Sequence, residues 1–140
     1  MCKAGTGFWT IAALILLWNL MGDWAYLTQA TTPPETVALT DPVAARAFDT
    51  MPVWAWAAYA LAVGAGTTGA VLLIMRRKVA WAFFAVSTAS ATAQFGWSFL
   101  GFGILAAKGW TAAIFPAAII SIALASMLYA QAKARDGTLR

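Results

Sequence analysis

Asn19, Asp23 and Tyr26 follow one another at i, i+4 and i+7 within the stretch LWNLMGDWAY, with Gly22 beside them. On a helix the four share one stripe. Their neighbours are apolar enough for lipid. A polar stripe turned to hydrocarbon is costly, so this one is expected to face other helices or a wet cavity. An amide, a carboxylate and a phenol in line would offer hydrogen bonds to a passing solute. The structural alternative makes Asn19 a hydrogen-bonding link between helices. It leaves Asp23 in interfacial water, paired with Lys108 or Arg46. A second stripe, Ser87, Ser90, Gln94, Ser98 and Gly101, recurs in steps of three and four, flanked by Thr88 and Thr92. Gln94 is its one deep amide. A contact between Gln94 and Asn19 would satisfy both groups where water is absent. The competing reading is that small hydroxyls simply allow close packing. Asn19, Asp23, Tyr26 and Gln94 are thus the candidate polar pathway.

Other chemistry is poorly supplied. GAGTTG, residues 64–69, spells a dinucleotide-binding fingerprint, but no strand precedes it and it lies mid-segment, so it does not read as a phosphate loop. Gly64, Gly66 and Gly69 with Thr68 instead predict a smooth face for close helix packing, within the chain or against a second copy. There is no histidine, and the acids lie away from any nucleophile. No catalytic set, metal centre or cofactor is expected. Cys2 is the one cysteine, so no disulfide can form within the chain.

The elements that must carry these residues follow from composition. The 140 residues are 62% hydrophobic and 10% charged, against about 25% charged in a soluble domain. A small soluble fold cannot hide that much apolar surface. Four apolar runs, about 8–27, 53–75, 79–103 and 111–132, are each long enough at 1.5 Å per residue to cross a bilayer core of about 30 Å. They lack the alternation of strands. The expected fold is a single all-α integral-membrane domain, an antiparallel four-helix transmembrane bundle. The first run is too long, and Trp18 and Trp24 are too bulky, for a cleaved signal segment.

Seven of the nine basic residues fall on one side of that bundle: Lys3, then Arg76, Arg77 and Lys78 in the second link, then Lys133, Arg135 and Arg140. Four of the five acids, Asp23, Glu35, Asp41 and Asp49, fall on the other. Positive charge stays in the cytoplasm, so both termini and the 76–78 turn are expected there. Trp9, Trp81 and Tyr129 would sit at the inner interface, and Trp24, Tyr26, Trp54, Trp56 and Trp110 at the outer one. Trp18 and Trp97 lie deeper and should pack between helices. The outer loop, 28–52, holds two helix-start signals. Thr32 with Pro33 and Glu35 reads as a capping box, and Asp41 with Pro42 as a second cap. Short amphipathic helices are expected there, with Phe48 and Met51 dipping toward lipid or onto the bundle. Pro116 should kink the fourth span or mark where its regular part begins.

In LWNLMG, in PVWAWAAYALAVGAGTTGAVLLIMRRKVAWAFFAVS and in MLYA the chain resembles a family of small four-span proteobacterial inner-membrane proteins that often carry the label "sugar transporter". The matching positions are Trp18, Asn19, Gly22, Tyr26, Pro52, Trp54, Gly64, Gly69 and Arg76. The resemblance implies the four-span fold and an inner-membrane location. Family members often carry an acid just before the tyrosine; here Ala25 stands there and the acid is Asp23. Two functions fit. The first is facilitated movement of a small neutral polar solute, with a homodimer completing the path. The second is a non-catalytic accessory subunit of a larger membrane complex. No charge lies at mid-membrane, which argues against proton coupling. The lipid bilayer is the expected partner, and nucleic acid is not.

Overall fold

The computed structural model describes residues 4–140, so Cys2 and the topological signal of Lys3 lie outside the described residues. Seven α-helices run in order: α1 (Thr6–Thr31), α2 (Pro34–Ala38), α3 (Pro42–Thr50), α4 (Val53–Ile74), α5 (Ala80–Gly96), α6 (Ile104–Lys108) and α7 (Ile114–Arg135). A π-helix, Trp97–Phe102, continues α5, and a 3-10 turn, Trp110–Ala113, leads into α7. Among the described residues there is no strand.

Three stretches are long and apolar enough to cross a membrane: Thr6–Thr31, Val53–Ile74 and Trp110–Arg135. The run 79–103 departs from the expected single span. Its regular α-helix is α5 alone, 17 residues, or about 25 Å at 1.5 Å per residue. The physical cause lies at its end. Gly101 makes room for the Trp97 indole, since a Cβ there would come within 2.6 Å of Trp97 Cδ1. Gly103 then turns into the left-handed region at φ 77° and stops the rod, a conformation glycine adopts without steric cost.

Packing is sequential. α1 lies on α4, α4 on α5, and α5 on α7, whereas α1 and α7 are not packed along their length. α4 and α5 form an antiparallel hairpin, as a link of a few residues requires. The apolar core lies at the end where this hairpin turns. Phe8, Ala12, Ala70, Leu73, Ala80, Phe84, Ala130 and Leu139 are buried together there. Trp24, Trp54 and Trp110 remain largely exposed around the other end, as residues of a membrane interface would.

The loop 28–52 folds into α2 and α3. Asp41 caps α3 by accepting from the Ala44 amide at 3.0 Å, with Pro42 at the first helical position. The capping box at Thr32 does not form. Thr32 donates back to the Thr28 carbonyl and closes α1 instead, and Pro33 precedes α2. Met51 is buried and the Phe48 ring packs 5.8 Å from Trp56, so α3 lies on the bundle. Pro116 sits in the first turn of α7, where the missing N–H has no intrahelical partner to lose.

The last residues fold back onto the hairpin turn. Gly137 adopts φ 88°, which carries the chain past the end of α7. The Leu139 amide then donates to the Lys133 carbonyl at 3.1 Å, and the Leu139 side chain is 1% exposed. Arg76 stands in the left-handed region at φ 59°. Its amide donates to Leu73 and the amide of Arg77 to Leu72, both at 2.9 Å, the two bonds of a Schellman C-cap. Glycine usually fills that position. An arginine there serves the tail: its Nε donates to the Thr138 carbonyl at 2.9 Å.

Candidate functional site

The four long helices splay apart away from the core and enclose a cavity of about 560 Å³, within the range of roughly 300–1,000 Å³ typical of small-molecule sites. At the core end it is bounded by Phe84, a member of the buried cluster that also holds Phe8, Ala12 and Ala130. α1 and α7 approach there through the stacked rings of Phe8 and Tyr129, 6.4 Å between centroids. The opposite end is roofed by Ala44, Ala47 and Phe48 of α3 and by Lys108. Lys108 is ion-paired with Asp41, which ties α3 to α6 across the mouth. The Lys108 ammonium, followed by the Ala44 amide, holds the Asp41 carboxyl below the usual carboxylate range.

Most of the lining is aliphatic or aromatic. The polar part comes from Asn19 on α1, Ser87 and Gln94 on α5, Ser98 on the π-helix and Ser126 on α7, with Gln29, Tyr59 and Thr111 nearer the mouth. Lys108 is the one charged residue among the lining side chains. The inner wall of α7 follows steps of three and four through Phe115, Pro116, Ile119, Ile122, Ala123 and Ser126. Ser126 is not among the residues singled out from the sequence; its place in that periodic row is the signal that could have found it.

Asn19 and Gln94 thus line one cavity, but no hydrogen bond joins them. Asn19 Nδ2 donates to the Ile15 carbonyl of its own helix at 2.8 Å. Its Oδ1 lies over Gly66, where a Cβ would come within 2.1 Å of it. Gln94 is 8% exposed. Its Nε2 makes only long contacts, 3.6 Å to Met51 Sδ and 3.5 Å to Ser98 Oγ. Neighbouring hydroxyls are spent on backbone. Ser87 donates to the Ala62 carbonyl at 2.7 Å and so joins α5 to α4. Thr88 and Thr92 bond back within α5.

Asp23 and Tyr26 point elsewhere. Asp23 accepts a hydrogen bond from Thr67 Oγ1 on α4; Lys108, one of its expected partners, is taken by Asp41. Tyr26 meets Tyr59 edge-on at 4.9 Å and Trp56 at 6.1 Å, in a cluster that Phe48 completes. The stripe divides because α4 packs along one edge of α1 and collects Asp23 and Tyr26. Asn19, Gly22, Ala25 and Gln29 are left facing the cavity.

The glycine face divides as well. Gly66 and Gly69 are buried. Gly66 gives room to Asn19 and Ser87, and Gly69 to the Phe84 ring, which a Cβ at Gly69 would approach to 3.1 Å. Gly64 lies on the other side of α4 with nothing within 4 Å. Arg76, Arg77 and Lys78 form the hairpin turn, at the end of the molecule away from the cavity mouth.

No protein-family profile matches this chain, and neither a curated protein nor a solved structure is significantly similar to it. Fold and site together define an all-helical chain with three helices suited to a membrane and a largely apolar cavity between them.

Proposed function

We propose that the chain is a four-span protein of the bacterial inner membrane, both termini cytoplasmic, that facilitates movement of a small uncharged solute through the cavity between its helices. The resemblance to the four-span family supports the fold and location. The hairpin of α4 and α5 supports an even number of crossings: α5 and its π-helical continuation return the chain along α4 to the mouth from which α7 departs. Lys133, Arg135 and Arg140 then share an end with Arg76, Arg77 and Lys78, as the positive-inside rule asks.

The observation that carries the function is Gln94. A nearly buried carboxamide with only long contacts keeps hydrogen-bonding capacity for something the cavity holds. Most of the wall around it is apolar, so the solute has a small hydrogen-bonding edge and an apolar body, which narrows the neutral polar solute expected from the sequence. With Lys108 paired at the mouth and no charge deeper, the site suits an uncharged molecule and offers no proton relay. The reading is non-enzymatic and needs no cofactor.

Vesicles reconstituted with the protein test this against a panel of uncharged solutes, polyols and sugars included. Gln94→Leu should lower flux at least tenfold, whereas Asp23→Asn, outside the cavity, should leave it within twofold. The reverse pattern would move the path to the other face of α1 and overturn the assignment. No flux for any solute, with one membrane complex copurifying, would favour the accessory-subunit reading.

A further inference from the structure

The tail that folds over the hairpin turn brings Arg140 into the Arg76–Lys78 turn. The Arg140 amide donates to the Arg76 carbonyl at 2.7 Å, and the Lys78 amide donates to the Arg140 carbonyl at 3.0 Å. Both ties are backbone ties, so the Arg140 guanidinium is not consumed by them. Met75, Arg77 and Arg140 line a groove of about 410 Å³, separate from the cavity. The residues Arg77, Lys78 and Arg140 are all exposed. Asp136 is the one side-chain carboxylate at this end. It is engaged by the Thr138 amide and hydroxyl at 2.9 and 2.6 Å and by Lys133 at 3.5 Å.

We propose that this groove is a binding site for the phosphate of an anionic phospholipid, held between the Arg77 and Arg140 guanidinium groups. A guanidinium presents a planar fork of donors that matches phosphate oxygens. Two forks, one on the turn and one on the tail tied to it, make a more specific receptor than loose charge at a membrane surface. The flanks identify the source of the phosphate. Met75 and Val79 are 58% and 47% exposed on either side of the turn, and Trp81 follows at 40%. That apolar rim gives acyl chains a path down the outside of the bundle, which a free phosphate would not use. The tail is the device that completes the site: without it Arg140 is not at the turn.

The test measures thermal unfolding of the detergent-solubilised protein with three additives in turn: phosphatidylglycerol, phosphatidylcholine and inorganic phosphate. Phosphatidylglycerol should raise the transition and the other two should not. Arg77→Gln and Arg140→Gln should each weaken the apparent phosphatidylglycerol affinity about tenfold, and Arg46→Gln, on α3 at the far end, should not. Both test positions are exposed, and Arg140→Gln keeps the backbone ties, so helix content by circular dichroism should match the parent. A full phosphatidylglycerol shift in both variants overturns the proposal. An equal shift from inorganic phosphate overturns the lipid assignment, and a shift lost equally in Arg46→Gln reduces the effect to net charge.

Discussion

Gly66→Ala tests the reasoning at the join between site and scaffold. The added Cβ would lie 2.1 Å from Asn19 Oδ1 and 3.1 Å from Ser87 Oγ. The first distance is far inside van der Waals contact, so something must move. α4 cannot simply retreat from α1, because Ser87 of α5 stands within contact distance and is bonded to α4 through the Ala62 carbonyl. The Asn19 amide must swing away, and its 2.8 Å bond to Ile15 breaks. Overpacking of this kind costs about 1–3 kcal/mol, and the lost bond about 1 kcal/mol more. Up to about 1 kcal/mol returns from the better helix propensity of alanine. The net expectation is a destabilisation of about 1–3 kcal/mol, read from sodium dodecyl sulfate titrations followed by tryptophan fluorescence. The double variant Asn19→Ala/Gly66→Ala removes the obstructing amide and should recover at least about 1 kcal/mol relative to additivity. Gly64→Ala, with open space around it, should stay within about 0.5 kcal/mol of the parent. Strict additivity in the double variant would refute the argument, because Gly66 would then be serving some contact other than Asn19.

Three further outcomes follow from the same geometry. Gly69→Ala should cost about 1–2 kcal/mol by pressing on the buried Phe84 ring, and Phe84→Leu should suppress that cost in a double-variant titration. Leu139→Ala should loosen the tail by about 3 kcal/mol, which tryptic cleavage after Arg135 would register as an acceleration on the order of 100-fold. The Asp41–Lys108 pair sets the pH behaviour of the roof. Asp41 has a depressed folded pKa, so its contribution is present above the unfolded carboxylate value of about 3.9 and is lost only as pH falls through the lower folded value. Hydrogen exchange of α3, corrected for intrinsic rate, should therefore be flat from pH 7 to 5 and rise below about 4. Lys108→Gln should raise it already at pH 7, by no more than about 1 kcal/mol, because both side chains are more than a third solvated.

The long helices were legible from hydropathy, because lipid leaves a chain few other ways to satisfy its backbone. The α3 cap was legible from Asp41 and Pro42, since that signal is local. The end of α5 was not. Hydropathy alone extends the run to 103, whereas the packing of Trp97 over Gly101 and the turn at Gly103 end the regular helix earlier. The tail was equally hidden, although Gly137 after a basic last turn is a recognisable helix stop. Leu139 had no visible partner until α4, α5 and α7 met.

The polar stripes show what helical periodicity leaves open. Spacing places Asn19, Asp23 and Tyr26 on one face, but the width of a neighbouring helix decides which of them a cavity receives. The hydrogen-bond partners then separate linking groups from free ones. Several hydroxyls in the long helices, Thr10, Thr68, Thr88, Thr92 and Ser126 among them, donate to a carbonyl four residues back, and Ser87 links two helices. Asp23 is spent on Thr67, and Asn19 is half spent on Ile15. Gln94 alone among the four pathway candidates combines near-complete burial, a place on the cavity wall and only long contacts. A buried amide that weakly bonded would cost stability if its site stayed dry and empty. The proposed function therefore rests on what occupies the space beside Gln94, rather than on Asp23, which is bonded to Thr67 outside the cavity.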